Sequence, residues 1–262
     1  MAEDIIRFDN GESYEFMMGR WSLLVGAQFL DWVAPPQGAR WVDVGCGNGA
    51  FTELIVQRCA PSDVQAFDPA PAQLDYARTR LPAHAPVTWH LGDAMQLALG
   101  DAAVDVAVMA LVLFFVPDPA VGVAEMCRSV RSGGWVAAYH WDILAGGLPF
   151  ADISAELIKL GMTPRLPPSV DASTLEASAQ LWKDAGLQEV RTTQLLVERS
   201  FDSFDAYWNS AGSSNVLRPL FDSLSAEQLA ELKSHVRRRM HANDEGPVRV
   251  RARANAVSGR KA

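Results

Sequence analysis

The chain predicts an α/β fold of the doubly wound kind, and three patterns predict it. Short apolar, β-branched runs at 41–44, 64–68, 87–91, 104–110 and 135–140 are separated by segments of helical period, the order that builds a parallel sheet with helices on both faces. The first run passes through Gly45-Cys46-Gly47-Asn48-Gly49 straight into a helical pattern, which brings backbone N–H groups and a helix N-terminus against a ligand. The third pattern is Val248 to Ala256, an alternating run that predicts a final strand with one apolar face.

The elements follow in order. Ser13 to Val33 carries apolar residues from Tyr14 through Trp21 to Val33 and predicts one or two short helices, stopped by Pro35-Pro36. Trp41–Val44 is the first strand, and Phe51–Cys59 the helix after the glycine turn. Val64–Asp68 is the second strand, ending in an acid, with Pro69 and Pro71 opening a helix over about 71–81. Val87–Leu91 is the third strand and leads into Gly92-Asp93-Ala94. Val104–Ala110 is almost wholly apolar, as a strand buried on both faces should be. Pro119 opens a helix to about Arg131 that Gly133-Gly134 ends, before the fifth strand, Trp135–His140. Phe150–Met162 predicts a helix. Asp171 or Ser173 caps the next, with Glu176 completing a capping-box pattern and Gly186 closing it. Leu187–Arg199 is the sixth strand. Phe204–Ser210 is a short helix, and Ser225–Met240 a longer one with Ser225 and Gln228 at capping-box spacing.

The glycine turn fits two ligands. Gly45-x-Gly47-x-x-Ala50 has dinucleotide spacing. Asp43, two before the first glycine, adds nothing to a pyrophosphate loop but suits a ligand carrying an ammonium; alternatively it caps the loop. Asp68, at the carboxyl end of the second strand, can accept both hydroxyls of a ribose, cap the next helix, or do both.

The run Val42-Asp43-Val44-Gly45-Cys46-Gly47-Asn48-Gly49 resembles motif I of the class I S-adenosylmethionine-dependent methyltransferases, usually close to VLDVGCGTG. Gly92-Asp93-Ala94 is similar to the family's G-D-A after strand three, and Tyr14 to Ser22 resembles the Y-x-x-x-M-G-R-W-S opening of many small-molecule methyltransferases. Arg128 to Gly134 resembles the L-x-P-G-G turn, with Ser132 in place of proline. The resemblance implies a Rossmann-like sheet of seven strands in the order 3-2-1-4-5-7-6, the last antiparallel, with a helical cap. It implies one methyltransferase domain over 1–262, with cap elements at about 1–33, 147–170 and 202–244. The implied cofactor is S-adenosylmethionine, leaving as S-adenosylhomocysteine. The implied contacts are Tyr14 and Met18 over the sulfonium, Arg20 at the carboxylate, Asp43 at the amino acid end, and the turn Gly45-Cys46-Gly47. Asp68 lies at the ribose, Gly92, Asp93 and Ala94 at the adenine, and Ala110, Leu111 and Phe115 beside the methylthio group, with Pro69, Gln73 and Met95 as further cofactor contacts. Ala110, Leu111, Phe114 and Phe115 make one wall of the acceptor pocket, which lacks the N-P-P-Y or D-P-P-Y tetrad of enzymes that methylate exocyclic amines of bases.

Size and composition agree with an ordinary globular chain of 262 residues with 49% hydrophobic residues. Net charge of −8 argues against a nucleic-acid partner. No apolar run reaches the roughly 18–20 residues that cross a bilayer. The acidic start, Met1-Ala2-Glu3-Asp4, has no basic leader, and Cys46, Cys59 and Cys127 are too scattered for a disulfide framework or a zinc site. The expectation is a cytoplasmic protein, monomer or homodimer, with no metal and no membrane partner.

The predicted activity is methyl transfer to a small, largely apolar molecule by in-line displacement at the sulfonium. His140, at the end of strand five, is the candidate general base if the acceptor must lose a proton; its alternative is a structural histidine. The cap aromatics Trp21, Phe29, Phe150, Phe201, Phe204, Tyr207, Trp208 and Phe221 either line an apolar acceptor pocket or form the cap's own core. Arg237-Arg238-Arg239 is a solvated face or an anionic-substrate patch. Two other classes stay open: a cofactor-binding interaction protein without catalysis, and an NAD-dependent oxidoreductase.

Overall fold

The computed structural model describes residues 18–214, 216–243 and 246–262. Its strands are β1 (Arg40–Val44), β2 (Asp63–Asp68), β3 (Val87–Leu91), β4 (Val104–Ala110), β5 (Val130–Trp141), β6 (Gln188–Phe201) and β7 (Val248–Arg260). They form one sheet in the order β3-β2-β1-β4-β5-β7-β6. The first five are mutually parallel, and β7 runs antiparallel between β5 and β6. This is the fold and strand order that the resemblance implies. β6 therefore points the same way as β5, and Phe201 ends at the edge that carries Gly45 and Leu111.

The helices are α1 (Arg20–Val33), α2 (Ala50–Cys59), α3 (Pro71–Arg80), α4 (Pro119–Ser129), α5 (Ala151–Lys159), α6 (Leu175–Asp184), α7 (Phe204–Gly212), α8 (Arg218–Asp222) and α9 (Ala226–Arg239). Strand alternation splits the buried side chains between two faces. Trp41, Val106, Val108, Ala137 and Tyr139 meet α1 and α2, while Val42, Val44, Ala107, Met109, Val136 and Ala138 form the core beneath α4 and α6. On the first face Phe29, Phe51 and Tyr139 pack with ring centroids 4.7 to 5.9 Å apart. Gly26 lets α1 approach α2, because a Cβ there would lie 2.9 Å from Phe51 Cδ2. The left-handed Ala34 ends α1, its N–H bonded to Leu30 O, and Pro35-Pro36 follow. Residues 13–17 of the predicted opening helices lie outside the described residues.

Three boundaries differ from the sequence reading. Helix α4 stops at Ser129, and Gly133-Gly134 lie inside β5 rather than closing the helix. The reason is a shift of register where β5 pairs with β4 between Val104 and Val106. Gly133 takes φ +73 there, and a Cβ on Gly134 would lie 2.6 Å from Asp105 O. Helix α6 is capped by Thr174, whose Oγ1 accepts from Ala177 N at 3.2 Å, instead of by Asp171 or Ser173. Those two residues are in a tight 3₁₀ turn, Val170–Ser173. β7 runs to Arg260 because β6 and β7 stay in register along almost their whole length. The capping box at Ser225 and Gln228 is present on α9.

Helices α5 and α7–α9 are inserted after β5 and between β6 and β7. Trp208 stacks on Phe221 at 4.8 Å, and Arg239 joins Asp152 at 2.7 Å. All eight of the aromatics named for the cap are buried and belong to one apolar core cluster with the sheet. Among the described residues no helix is long and apolar enough to cross a membrane.

Candidate cofactor and acceptor site

The site grows from the turn between β1 and α2. Gly45 N and Cys46 N donate to Phe67 O at 2.7 and 2.9 Å, which ties the turn to the end of β2. Gly45, Gly47 and Gly49 all have positive φ. Their surroundings separate their roles. A Cβ on Gly45 would lie 2.5 Å from Val112 Cγ2, so this glycine is required by packing against the segment after β4. A Cβ on Gly47 meets nothing within 4 Å. Gly47 is therefore the part of the turn where a ligand can come up against bare backbone.

Asp68 stands beside it. Its carboxylate accepts from Gly47 N at 2.8 Å and Ala70 N at 2.9 Å, and only 8% of the residue is exposed. The ligand and helix-capping readings of Asp68 thus coincide in one side chain, and each oxygen keeps a lone pair for a hydroxyl. Burial pushes its carboxyl up from the ordinary value, against the pull of the two N–H donors. Pro69 is exposed at the turn, and Gln73 is buried in the first turn of α3.

Asp43 is fully buried between β1 and α2. Its Oδ2 accepts from Thr52 Oγ1 at 2.6 Å, and its Oδ1 has no partner among the described residues. Burial pushes its carboxyl up to about 7, partly opposed by Thr52, and the Asp68 charge raises it further. A buried carboxylate oxygen without a donor is what an ammonium-bearing ligand would satisfy. The same burial, together with Asp43 and Asp68, pushes the Cys46 thiol up, so it is a packing group and no nucleophile.

At the end of β3, Gly92 passes close to Phe67, where a Cβ would lie 2.8 Å from its ring. Asp93 is exposed and folds its Oδ1 back onto Met95 N at 2.8 Å, with Ala94 and Met95 half-buried behind it. At the end of β4, Ala110 leads into Leu111, a non-glycine residue at φ +63. Leu111 N donates to Tyr139 O at 2.8 Å, which holds this disfavoured conformation in place. Phe114 and Phe115 follow on a 3₁₀ turn, edge to face at 4.6 Å. The buried acids, the open backbone of Gly47 and the Leu111–Phe115 wall lie along one sheet edge and fit a ligand with a ribose, an ammonium and an apolar reacting end.

The remaining candidates divide. Tyr14 lies outside the described residues. Met18 is buried in the cluster with Trp21 and Phe201, whereas Arg20 is exposed at the start of α1. His140 is fully buried, and neither ring nitrogen has a partner among the described residues. It faces Asn255 across β5–β7, and Asn255 faces Gln194 across β7–β6. Asn255 Nδ2 donates to Ser173 O at 2.8 Å, so the row is anchored to the turn before α6. Burial lowers the His140 pKa to about 3. The arginine run on α9 is partly engaged: Arg237 pairs with Asp205 and Arg239 with Asp152. Sequence reasoning missed Thr52, the donor to Asp43, and Val112, which packs on Gly45. Neither belongs to a motif; both depend on how α2 and the β4 exit fold back on the turn.

A family model described as "Methyltransferase domain" matches residues 42–138. A ubiquinone biosynthesis O-methyltransferase of Bordetella avium is 32% identical over 169 residues, covering 61% of this chain and 68% of the relative. A malonyl-[acyl-carrier protein] O-methyltransferase of Serratia marcescens is 37% identical over 110 residues, 42% of this chain and 41% of the relative. An uncharacterized methyltransferase of Mycobacterium tuberculosis is 37% identical over 105 residues; this chain spans 41% of its length, about two fifths, as with the Serratia relative. Among solved structures, a phosphoethanolamine N-methyltransferase of Haemonchus contortus, in complex with S-adenosylhomocysteine, matches 96% of this chain and 56% of its own at a TM-score of 0.57 and 15% identity. At that identity the likeness supports the fold alone. The turn, the order of the strands and the Bordetella relative together show that the chain belongs to the class I S-adenosylmethionine-dependent methyltransferase family.

Proposed function

We propose that this chain transfers the methyl group of S-adenosylmethionine to a small, largely apolar molecule by in-line displacement at the sulfonium. The observation that carries the reading is the open backbone at Gly47 beside the buried Asp68 carboxylate. The cofactor, when bound, supplies an electrophilic methyl whose departure leaves a neutral thioether. What the chain itself does is hold and align. Asp68 accepts the ribose hydroxyls, Asp43 serves the ammonium, Gly92 to Met95 take the adenine edge, and Ala110, Leu111 and Phe115 flank the reacting end. Tyr14, Met18, Arg20, Cys46, Pro69 and Gln73 complete the proposed contacts. Residues of about 1–33, 147–170 and 202–244 form the proposed cap of a single domain over 1–262. Alignment of this kind is worth up to about 7–11 kcal/mol of barrier.

Burial lowers the His140 pKa to about 3, so the imidazole is neutral at neutral pH. A base that weak takes up a proton poorly at neutral pH, so His140 is assigned the role of accepting a hydrogen bond from the methyl acceptor. Two relatives are named as O-methyltransferases, which supports an oxygen-bearing acceptor.

Calorimetry with S-adenosylmethionine, S-adenosylhomocysteine and NAD tests the reading. The first two bind, and Asp68→Ala weakens both by at least about tenfold, the worth of a hydrogen bond to a charged group. Binding of NAD in their place would move the chain to an oxidoreductase. Binding of the cofactor without transfer to any acceptor would leave an interaction protein.

A further inference from the structure

Arg199 stands two residues before the end of β6, on the face that also carries Leu195, Val197 and Phe201. Those three are buried in the apolar core, and so is Val250, which lies opposite Arg199 on β7. The guanidinium lies over the Phe201 ring, 4.3 Å from its centroid. Its Nε and Nη1 are buried and have no hydrogen-bond partner among the described residues. The neighbouring arginines differ: Arg251 pairs with Glu198 at 2.9 Å and Arg253 with Asp142 at 2.7 Å. Glu198 points to the opposite face of β6 and is taken there. Burial lowers the Arg199 pKa, and the charge of Arg20 lowers it further. Two guanidiniums at the carboxyl edge, one of them half-buried with its Nε and Nη1 out of water and no anion among the described residues, form an arrangement that the packing of those residues does not favour.

The position says which anion is missing. β6 lies four places along the sheet from β1, about 19 Å at ordinary strand spacing. That separates Arg199 from the glycine turn and puts it beyond β4 and β5, on the acceptor side. A guanidinium offers a planar fork that matches a carboxylate or phosphate, and the Phe201 ring behind it fixes the plane of that fork.

We infer that Arg199 is an oxyanion-recognition subsite for the methyl acceptor, so that the acceptor is an otherwise apolar molecule carrying one carboxylate or phosphate group. The inference rests on the methyltransferase reading for the word acceptor, though not for the anion site itself.

The test compares the full chain with Arg199→Met in chloride buffer, alone and with inorganic phosphate or acetate. In chloride alone the variant melts at a higher temperature, because an apolar side chain of similar reach replaces an unpaired cation. Phosphate or acetate raises the melting temperature of the native chain, and the anion affinity drops at least about tenfold in the variant. The probe that stabilises more identifies the group. Arg199→Lys keeps the charge and loses the fork, so it retains a weakened response; a full response there would overturn the bidentate assignment. A lower melting temperature for Arg199→Met in chloride would reveal a partner within the chain and overturn the proposal. Equal stabilisation of both proteins by the anions would also overturn it. S-adenosylhomocysteine affinity is unchanged in Arg199→Met; a parallel loss would assign the guanidinium to the cofactor's own carboxylate instead. If the native chain fails to bind S-adenosylhomocysteine, the methyltransferase reading falls while the anion measurements still decide Arg199.

Discussion

The β1–β2 edge and the β5–β7–β6 edge belong to one sheet and are built from different material. At the first, the groups proposed to meet a ligand are backbone: Gly47 in the open and Gly45 pressed on Val112, with Asp43 and Asp68 behind them. At the second they are side chains: the buried His140 and Asn255 pair on one face of the sheet, anchored to Ser173, and Arg199 lies half-buried on the other face, on strands far apart in the chain. A backbone site tolerates little change and is shared by a family. A side-chain site can change with the acceptor while the strands beneath it keep their pairing.

The comparison can be broken first at His140. Its neutral form is favoured by folding, since burial lowers its pKa from 6.5 to about 3. Its contribution is complete above pH 6.5 and is lost as pH falls, because the unfolded chain then takes up a proton that the folded chain refuses. Between pH 6.5 and pH 4 this costs about 3 kcal/mol of stability. His140→Leu should abolish that part of the acid sensitivity in denaturant unfolding at the two pH values. An unchanged profile would show that the imidazole is not desolvated.

Next comes Gly45→Ala, which adds a Cβ 2.5 Å from Val112 at φ +76. It should cost about 2–3 kcal/mol and weaken S-adenosylhomocysteine binding. Gly146→Ala in the loop after β5, at φ +70 in open space, should cost about 1 kcal/mol and leave binding alone. Equal effects on binding would erase the distinction between the two edges.

Asp43 sharpens it further. Its carboxyl titrates at about 7 in the structure, and an ammonium beside it would lower that value. Cofactor binding then expels a proton, and the affinity for S-adenosylhomocysteine rises with pH, by up to about tenfold per unit below pH 7. Calorimetry from pH 5 to 7 reads this slope, and Asp43→Asn should flatten it. The smallest effect is Ser225→Ala, which removes the α9 capping box. It should cost about 1 kcal/mol in thermal melts, with cofactor binding unchanged.

The same division explains what could be read from the sequence. Gly45, Gly47, Gly49 and Asp68 lie within one turn and the end of the next strand, so their spacing alone carries their geometry. The order of the sheet followed from the resemblance and from the alternation in Val248–Ala256. The cap of α6 was not legible, because Asp171, Ser173 and Thr174 are all cap formers and the 3₁₀ turn before the helix decides among them. Gly133-Gly134 look like a helix stop until β4 is placed beside them. That Arg199 Nε and Nη1 have no hydrogen-bond partner among the described residues was hidden for a similar reason. It depends on which face of β6 the neighbouring acid takes, and so on the register with β7.

That register has a consequence for how the molecule is made. β7 is inserted between β5 and β6 yet follows both in the chain. On the ribosome, β1 to β5 emerge with every strand pairing among them available, so the turn and Asp68 can assemble early. β5 then waits with Val136–Tyr139 along an open edge until residues 248–260 arrive. A nascent chain paused before that point would hold a formed cofactor cradle and an adhesive strand edge, which is the moment at which a chaperone matters most to it.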